Sequence, residues 1–277
     1  MEGIWLTRSM ACQNIWPNIR LSFSTVLAPC RHDVVISQNL SQEIVEELGI
    51  YIVSFDRAGY GESDPNPKRT IKSLAMDTEE LADQLGLGSK FYVVGYSMGG
   101  QTVCLKYIPH RLAGATLIAP VINYWWPGFP RNLSTEAYNL QLPQDQWALR
   151  QVILKSSLLK IFNFSLSLQG DKHTSHKYFQ QGAFESNHRD MMIGFGSWEF
   201  DPMDLQNPFP DGEGSVHIWQ GDEDRLVPVI LQRYIAKRLP WIQYHELQGG
   251  GHLFPLLDGM SESILKALLL HKEVTSV

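Results

Sequence analysis

From about Arg31 onward the apolar positions fall into two rhythms, short continuous runs and longer stretches spaced three or four apart, which read as buried strands and amphipathic helices. His32 to Leu48 carries Val35, Ile36, Leu40, Ile44, Val45 and Leu48 at helical spacing and stops at Gly49, and Ile50 to Phe55 follows as a strand. Thr70 to Leu85 is the next predicted helix, with Gly86 and Gly88 behind it. Phe91 to Val94 is the next strand, bounded by Gly95. Met98 to Ile108 is predicted helical up to Pro109, and Ala115 to Ile118 is a third strand. Toward the C-terminal end, Val216 to Trp219 and Ile242 to Leu247 read as strands, separated by a helix over Pro228 to Leu239 and followed by one from about Ser261 to His271. Apolar strands alternating with helices predict the α/β class, a mostly parallel central sheet flanked by helices.

Between Asn123 and about Phe209 the rhythm changes. Trp125, Trp126, Trp147 and Trp198 stand with many Phe and Leu residues among Pro and Gly breaks, so the segment reads as a mainly helical insertion. A segment hung on one end of a parallel sheet sits beyond the carboxyl ends of the strands, where open α/β folds bind ligands. Residues 123–209 are therefore expected to form a cap or lid, the alternative being that these aromatics only make a satellite core. The expected division is an atypical N-terminal segment 1–30, a core built from 31–122 and 210–277, and the 123–209 cap. No repeats or low-complexity tracts interrupt it.

Composition narrows the function classes. The 277 residues, 44% hydrophobic and 19% charged, suffice for one large core with an inserted subdomain. Interspersed charge summing to −6 leaves no basic footprint for nucleic acid. No window reaches the roughly 18 apolar residues of a spanning helix, and Arg8, Gln13 and Asn14 interrupt the start, so the expectation is a cytoplasmic chain without membrane span or signal peptide. Cys12, Cys30 and Cys104 make no C-x-x-C pair and read as buried thiols rather than zinc ligands.

Candidate chemistry begins at Gly95-Tyr96-Ser97-Met98-Gly99-Gly100, directly after a predicted strand and before a predicted helix. A serine hydroxyl is a weak nucleophile until a tight strand-to-helix turn holds it exposed, and small residues on either side let the chain bend there. The helix N-terminus then places the Met98 N–H to stabilise an oxyanion. A serine merely capping a helix is the weaker reading, because pattern and context agree. Such a serine needs a base and an orienting acid, following in the order Ser, acid, His at the ends of later strands. After Trp219 comes Gly221-Asp222-Glu223-Asp224-Arg225-Leu226-Val227-Pro228, where three acids compete. Asp224 is favoured, and one of the three is expected to cap the helix at Pro228. After Leu247 comes Gly249-Gly250-Gly251-His252-Leu253-Phe254, and of the nine histidines His252 alone lies just past the last strand behind glycines.

With these motifs stands Phe55-Asp56-Arg57-Ala58-Gly59-Tyr60-Gly61-Glu62-Ser63, which resembles the D-R-x-G-x-G-x-S loop that α/β-hydrolase superfamily proteins carry after an early strand. Residues 31 to 277 resemble a plant member of that superfamily, the serine-hydrolase kind with an inserted cap. The resemblance implies Ser97 as nucleophile, His252 as general base and then acid, and Asp224 as orienting acid. It also implies a small ester or thioester substrate, an acyl-serine intermediate, and neither cofactor nor metal. Serine rather than aspartate at the elbow disfavours epoxide and haloalkane chemistry, and a cap rich in Trp and Phe suits an acyl or aromatic group.

The resemblance further implies a second oxyanion donor from a His-Gly-aromatic loop just before the helix at His32. Here that stretch reads Leu21-Ser22-Phe23-Ser24-Thr25-Val26-Leu27-Ala28-Pro29-Cys30, and too few residues precede it for the usual early strands. The run Arg20 to Leu27, rich in β-branched and aromatic residues, is the candidate for the missing strand between Ile50 to Phe55 and Phe91 to Val94. The Leu27 or Ala28 N–H is then the replacement donor. Because the resemblance starts abruptly at Cys30-Arg31-His32-Asp33, residues 1 to about 29 also read as the product of an alternative start or retained intron. The competing functional expectation is a non-catalytic or weakly catalytic scaffold, either a small-ligand receptor or an inactive truncated isoform. His173 and His176, the sequons at Asn39, Asn132 and Asn163, the Thr275-Ser276-Val277 tail, His188-Arg189-Asp190 and Glu199 to Asp201 receive no functional role.

Overall fold

The computed structural model describes residues 7–10, 19–24, 36, 39–101, 105–146, 149, 182, 186 and 188–270, and for 7–10, 19–24 and 101 the backbone alone. The strands are β1 (Thr7–Met10), β2 (Ile19–Ser24), β3 (Ile50–Phe55), β4 (Phe91–Tyr96), β5 (Leu112–Ile118), β6 (Val216–Gly221) and β7 (Ile242–Leu247). They form one sheet in the order β1-β3-β2-β4-β5-β6-β7. Every adjacent pair from β3 to β7 is parallel, while β1 runs antiparallel along the edge of β3.

Strand β2 fills the slot that the sequence left open. Its Ser22 pairs with Val53 of β3 on one side and with Val93 of β4 on the other, so both central strands have a ladder partner. Residues 25–28, including the proposed donors Leu27 and Ala28, lie outside the described residues. Among the described residues, one antiparallel edge strand and one inserted parallel strand stand before β3.

The sheet is apolar on both faces, as buried parallel strands must be. Val53, Phe91 and Val93 join one core cluster with Leu74, Leu81 and Leu231; Ile52, Val94 and Ile118 join the other with Ile264, Leu265 and Leu268. The helices behind them are α1 (Gln42–Glu47), α2 (Ile71–Gln84), α3 (Arg131–Leu140), α4 (Arg189–Gly194), α5 (Val229–Arg238) and α6 (Met260–Leu270). α2 forms because Ile71, Leu74, Ala75, Thr78, Leu81 and Ala82 share one buried face, and because Thr70 and Ser73 make a reciprocal capping box.

Two predicted helices come out differently. The described part of the 32–48 stretch is helical continuously only from Gln42, because the Ser41 hydroxyl accepts the Ile44 N–H as an N-cap and Asn39 turns away to donate to the Leu256 carbonyl at 2.6 Å. The stretch after Ser97 is a 3-10 turn, Ser97–Gln101, rather than the start of an α-helix, and residues 105–107 form a turn. Adjacent Gly99 and Gly100 disfavour a regular helix there, and 102–104 lie outside the described residues, as do all three cysteines. Strand β4 also runs on through Gly95, which pairs with Ser24 and Leu117, instead of stopping at Val94.

The chain between β5 and β6 contributes α3 and α4. Trp126, Phe129 and Phe209 belong to the same apolar cluster as Val53 and Phe91, with Trp198 and Phe200 packed against it. These aromatics therefore extend the main core rather than forming a satellite core. Among the described residues no helix is long and apolar enough to cross a membrane.

Candidate active site

At the end of β4 the backbone reverses at Ser97 with φ of 52°, the left-handed region that a non-glycine residue enters only under constraint. The constraint is visible. The Ser97 carbonyl accepts the Val121 N–H at 3.0 Å, and a Cβ on Gly100 would overlap the ring of Pro120, so the turn is clamped against the chain leaving β5. This forces the Ser97 hydroxyl off the carboxyl end of the sheet.

The strand ends bring two other groups to it. His252 Nε2 lies 2.9 Å from Ser97 Oγ, and His252 Nδ1 lies 2.7 Å from Asp224 Oδ2. A carboxylate on the Nδ1 side fixes the proton there, leaving Nε2 as the acceptor for the serine hydroxyl. Asp224 is itself surrounded by donors. The N–H groups of Leu226 and Val227 bond its Oδ1 at 2.8 and 2.9 Å, and Gln220 Nε2 bonds its Oδ2 at 3.1 Å. The Tyr96 ring stacks on the imidazole with centroids 5.2 Å apart, and its hydroxyl donates to the His252 carbonyl at 2.9 Å. Burial, with the nearby charge of Asp224, pushes the Tyr96 phenol up, which keeps it a donor.

The turns carrying acid and base are stitched together. Asp222 N–H and Glu223 N–H donate to the carbonyls of Leu247 and Gly250, and a Cβ on Gly221 would overlap the Gly250 carbonyl. Asp222 uses its own carboxylate to accept the Gly249 N–H at 2.7 Å, and Glu223 is exposed. Of the three candidate acids, the geometry brings Asp224 to the imidazole. The expected acidic cap at Pro228 does not form: α5 starts behind Pro228 with no side-chain cap, because Asp224 bonds the N–H groups of Leu226 and Val227 just before it.

Ser97, Asp224 and His252 are all buried. A cavity of about 80 Å³ opens beside the serine, lined by Ser97, Met98, Tyr124, Asp145, Met191 and Phe195 among others, so the 123–209 segment supplies much of its wall. Met98 follows the serine and borders the same cavity. His173 and His176 lie outside the described residues, and among those residues no group of three or more metal-ligating side chains gathers.

Sequence reasoning missed a buried ion cluster beside this cavity. Asp190, given no role above, receives Arg57 at 2.6 Å, Arg69 at 2.7 Å and the Tyr60 hydroxyl at 2.6 Å. Arg69 also donates to the carbonyls of Ala58 at 2.5 Å and Ser186 at 2.9 Å. Burial pulls both guanidiniums down. Asp190 and Tyr60 outweigh this for Arg57, which stands above its ordinary value, while Arg69, repelled by Arg57, stands below. The D-R-x-G-x-G-x-S loop is thereby explained as scaffold. Gly59 and Gly61 have positive φ, a Cβ on Gly61 would overlap the Asp56 carboxylate, and Ser63 donates to the Asp56 carbonyl at 2.6 Å. A signal was present in the two arginines flanking a loop of apolar and glycine residues, which need a counter-charge if buried. The counter-charge, Asp190, is distant in the chain from both arginines.

The α/β hydrolase fold family matches the chain over residues 31–258. A relative described as a putative carbamate hydrolase RutD, from Caulobacter vibrioides, is 26% identical over 212 residues, 75% of each chain. Among solved structures, the enol-lactonase from Burkholderia xenovorans LB400 superposes with a TM-score of 0.59 at 16% identity, covering 97% of this chain and 96% of that one. A thermophilic esterase from Thermogutta terrifontis gives 0.55 at 18% identity over 94% and 90%. The monoacylglycerol lipase of Paleococcus ferrophilus gives 0.56 at 16% identity over 98% and 100%.

Proposed function

We propose a function from one premise: the chain belongs to the α/β hydrolase fold family. Within it, the chain is a serine hydrolase that cleaves carboxylic esters or thioesters through an acyl-serine intermediate. The observation that carries this reading is the unbroken hydrogen-bonded chain from Ser97 Oγ through the His252 ring to Asp224. As Ser97 Oγ bonds to the carbonyl carbon, its proton passes to His252 Nε2, and Asp224 stabilises the imidazolium that forms. The carbonyl oxygen, now an oxyanion, faces the Met98 N–H. Collapse breaks the bond to the leaving alcohol or thiol, which takes the proton from His252. Water then repeats the sequence on the acyl-serine, releasing the acid and restoring the hydroxyl.

We propose the Leu27 or Ala28 N–H as the second oxyanion donor. Support comes from the parallel pairing of Ser24 with Gly95, which sends the chain leaving β2 off the sheet at the same end as the elbow. The neighbours named as an esterase, an enol-lactonase and a monoacylglycerol lipase support an acyl-oxygen substrate, and the relative named as a carbamate hydrolase adds the carbamate as a second class to assay. A fluorophosphonate probe tests the reading: the protein is expected to be labelled, and Ser97→Ala to abolish labelling while unfolding as cooperatively as the parent. A cooperatively folded but unlabelled parent would overturn it in favour of a ligand-binding or inactive scaffold.

A further inference from the structure

Within the cavity beside Ser97 one side chain is chemically out of place. Tyr124, Met191, Phe195 and Leu149 give it an apolar and aromatic wall, yet Asp145 also lines it. Asp145 Oδ2 is shut off from solvent and has no hydrogen-bond partner. Leaving such an oxygen unpaired is costly, the more so when it carries charge. No Lys, Arg or His stands among the described residues that line the cavity. Burial accordingly pushes the Asp145 carboxyl up from the usual carboxylate range. Opposite the question of charge stands an aromatic surface: Tyr124 and Phe195, both in the lining, stack with centroids 6.1 Å apart and planes 14° from parallel. A carboxylate oxygen without a donor, set beside aromatic faces, suits a group that is at once a hydrogen-bond donor and a cation.

The position of the cavity assigns that group to one side of the scissile bond. The leaving oxygen must lie against His252 Nε2, which gives it a proton. The described lining contains Ser97 and Met98, the nucleophile and the residue after it, and does not contain His252. The cavity therefore lies on the acyl side.

We propose that Asp145 receives a protonated amine on the acyl part of the substrate, so that the site selects esters whose acyl chain carries an ammonium group over neutral chains of equal length. This specificity rests on Ser97 being the nucleophile. Asp145 neither bonds the reacting atoms nor moves a proton; it selects.

The test compares p-nitrophenyl 6-aminohexanoate, 6-hydroxyhexanoate and hexanoate on the full chain, reading the ratio of kcat/KM between substrates within each protein so that altered folding cancels. The parent is expected to favour the amino ester over the alkyl ester by roughly tenfold to a hundredfold, the worth of one hydrogen bond to a charged group. In Asp145→Asn the ratio is expected to fall toward one, and in Asp145→Leu to invert. A parent ratio near one, a hydroxy ester cleaved as well as the amino ester, or a preference unchanged in Asp145→Asn would each overturn the proposal. Because loss of all turnover would strike the nucleophile assignment instead, thermal stabilisation of Ser97→Ala by the uncleaved probes 6-aminohexanamide and hexanamide is measured in parallel. Stabilisation by the amino amide alone, lost when Asp145→Leu is added, supports the site whether or not esters are cleaved, and equal or absent stabilisation overturns it.

Discussion

At the residue scale the division of labour between two neighbouring aspartates is set by what each oxygen already holds. Asp224 Oδ2 meets the imidazole, while Asp222 Oδ1 is occupied by the Gly249 N–H and ties the acid turn to the histidine turn. Asp224→Asn puts a neutral amide beside Nδ1 that no longer fixes the tautomer or stabilises an imidazolium, and kcat for p-nitrophenyl butyrate is expected to fall by about four orders of magnitude. Asp222→Asn keeps a carbonyl oxygen for Gly249 and is expected to leave kcat near that of the parent. Equal losses in the two variants would mean that the acid is wrongly assigned. Ser97 and His252 were legible in the sequence because each sits behind glycines at a strand end. Asp224 was the favoured one of three acids in its turn, and what sets it apart in space is the 2.7 Å approach to His252, 28 positions away. Asp145 carried no signal, because an unpaired oxygen is a property of the cavity and not of the string.

Among the elements, α4 owes its position to the cluster around Asp190. The carboxylate ties α4 to the loop after β3 through Arg57 and Tyr60, and to the chain before α2 through Arg69, and the next residue, Met191, lines the cavity beside Ser97. Asp190→Ala would leave two buried guanidiniums without the carboxylate between them. Removing one partner from such a buried set typically costs about 3–5 kcal/mol, and urea unfolding of Asp190→Ala is expected to show a loss of that order. Asp190→Glu, which keeps the charge, is expected to recover part of it. A loss below ~1 kcal/mol would show that the cluster does not hold α4. Element boundaries were read well where local chemistry marks them, as at Thr70 and Gly49. They failed after Ser97, where, among the described residues, the glycine pair and the contact with Pro120 accompany a 3-10 turn over Ser97–Gln101 in place of the start of the predicted helix.

Across the whole molecule, the decisive feature is that a segment with little family character completes the sheet. β2 lies between β3 and β4, so the strand bearing the elbow depends for half of its backbone pairing on residues 19–24. The strand propensity of that run was visible in the sequence; its slot came from the family resemblance, which implies a strand between β3 and β4. In a central strand there is no solvent side on which a missing N–H goes unnoticed, and each buried group left without a partner costs about 1–3 kcal/mol. Ser22→Pro is therefore expected to abolish cooperative thermal unfolding, followed by circular dichroism, and fluorophosphonate labelling with it. Ser9→Pro provides the contrast, because β1 pairs with β3 on one side only and proline is tolerated best at a sheet edge. This variant is expected to lose part of its stability and keep its labelling. If Ser22→Pro melted and reacted like the parent, the sheet would close without β2, and the elbow would need another neighbour to hold Ser97 in its strained turn.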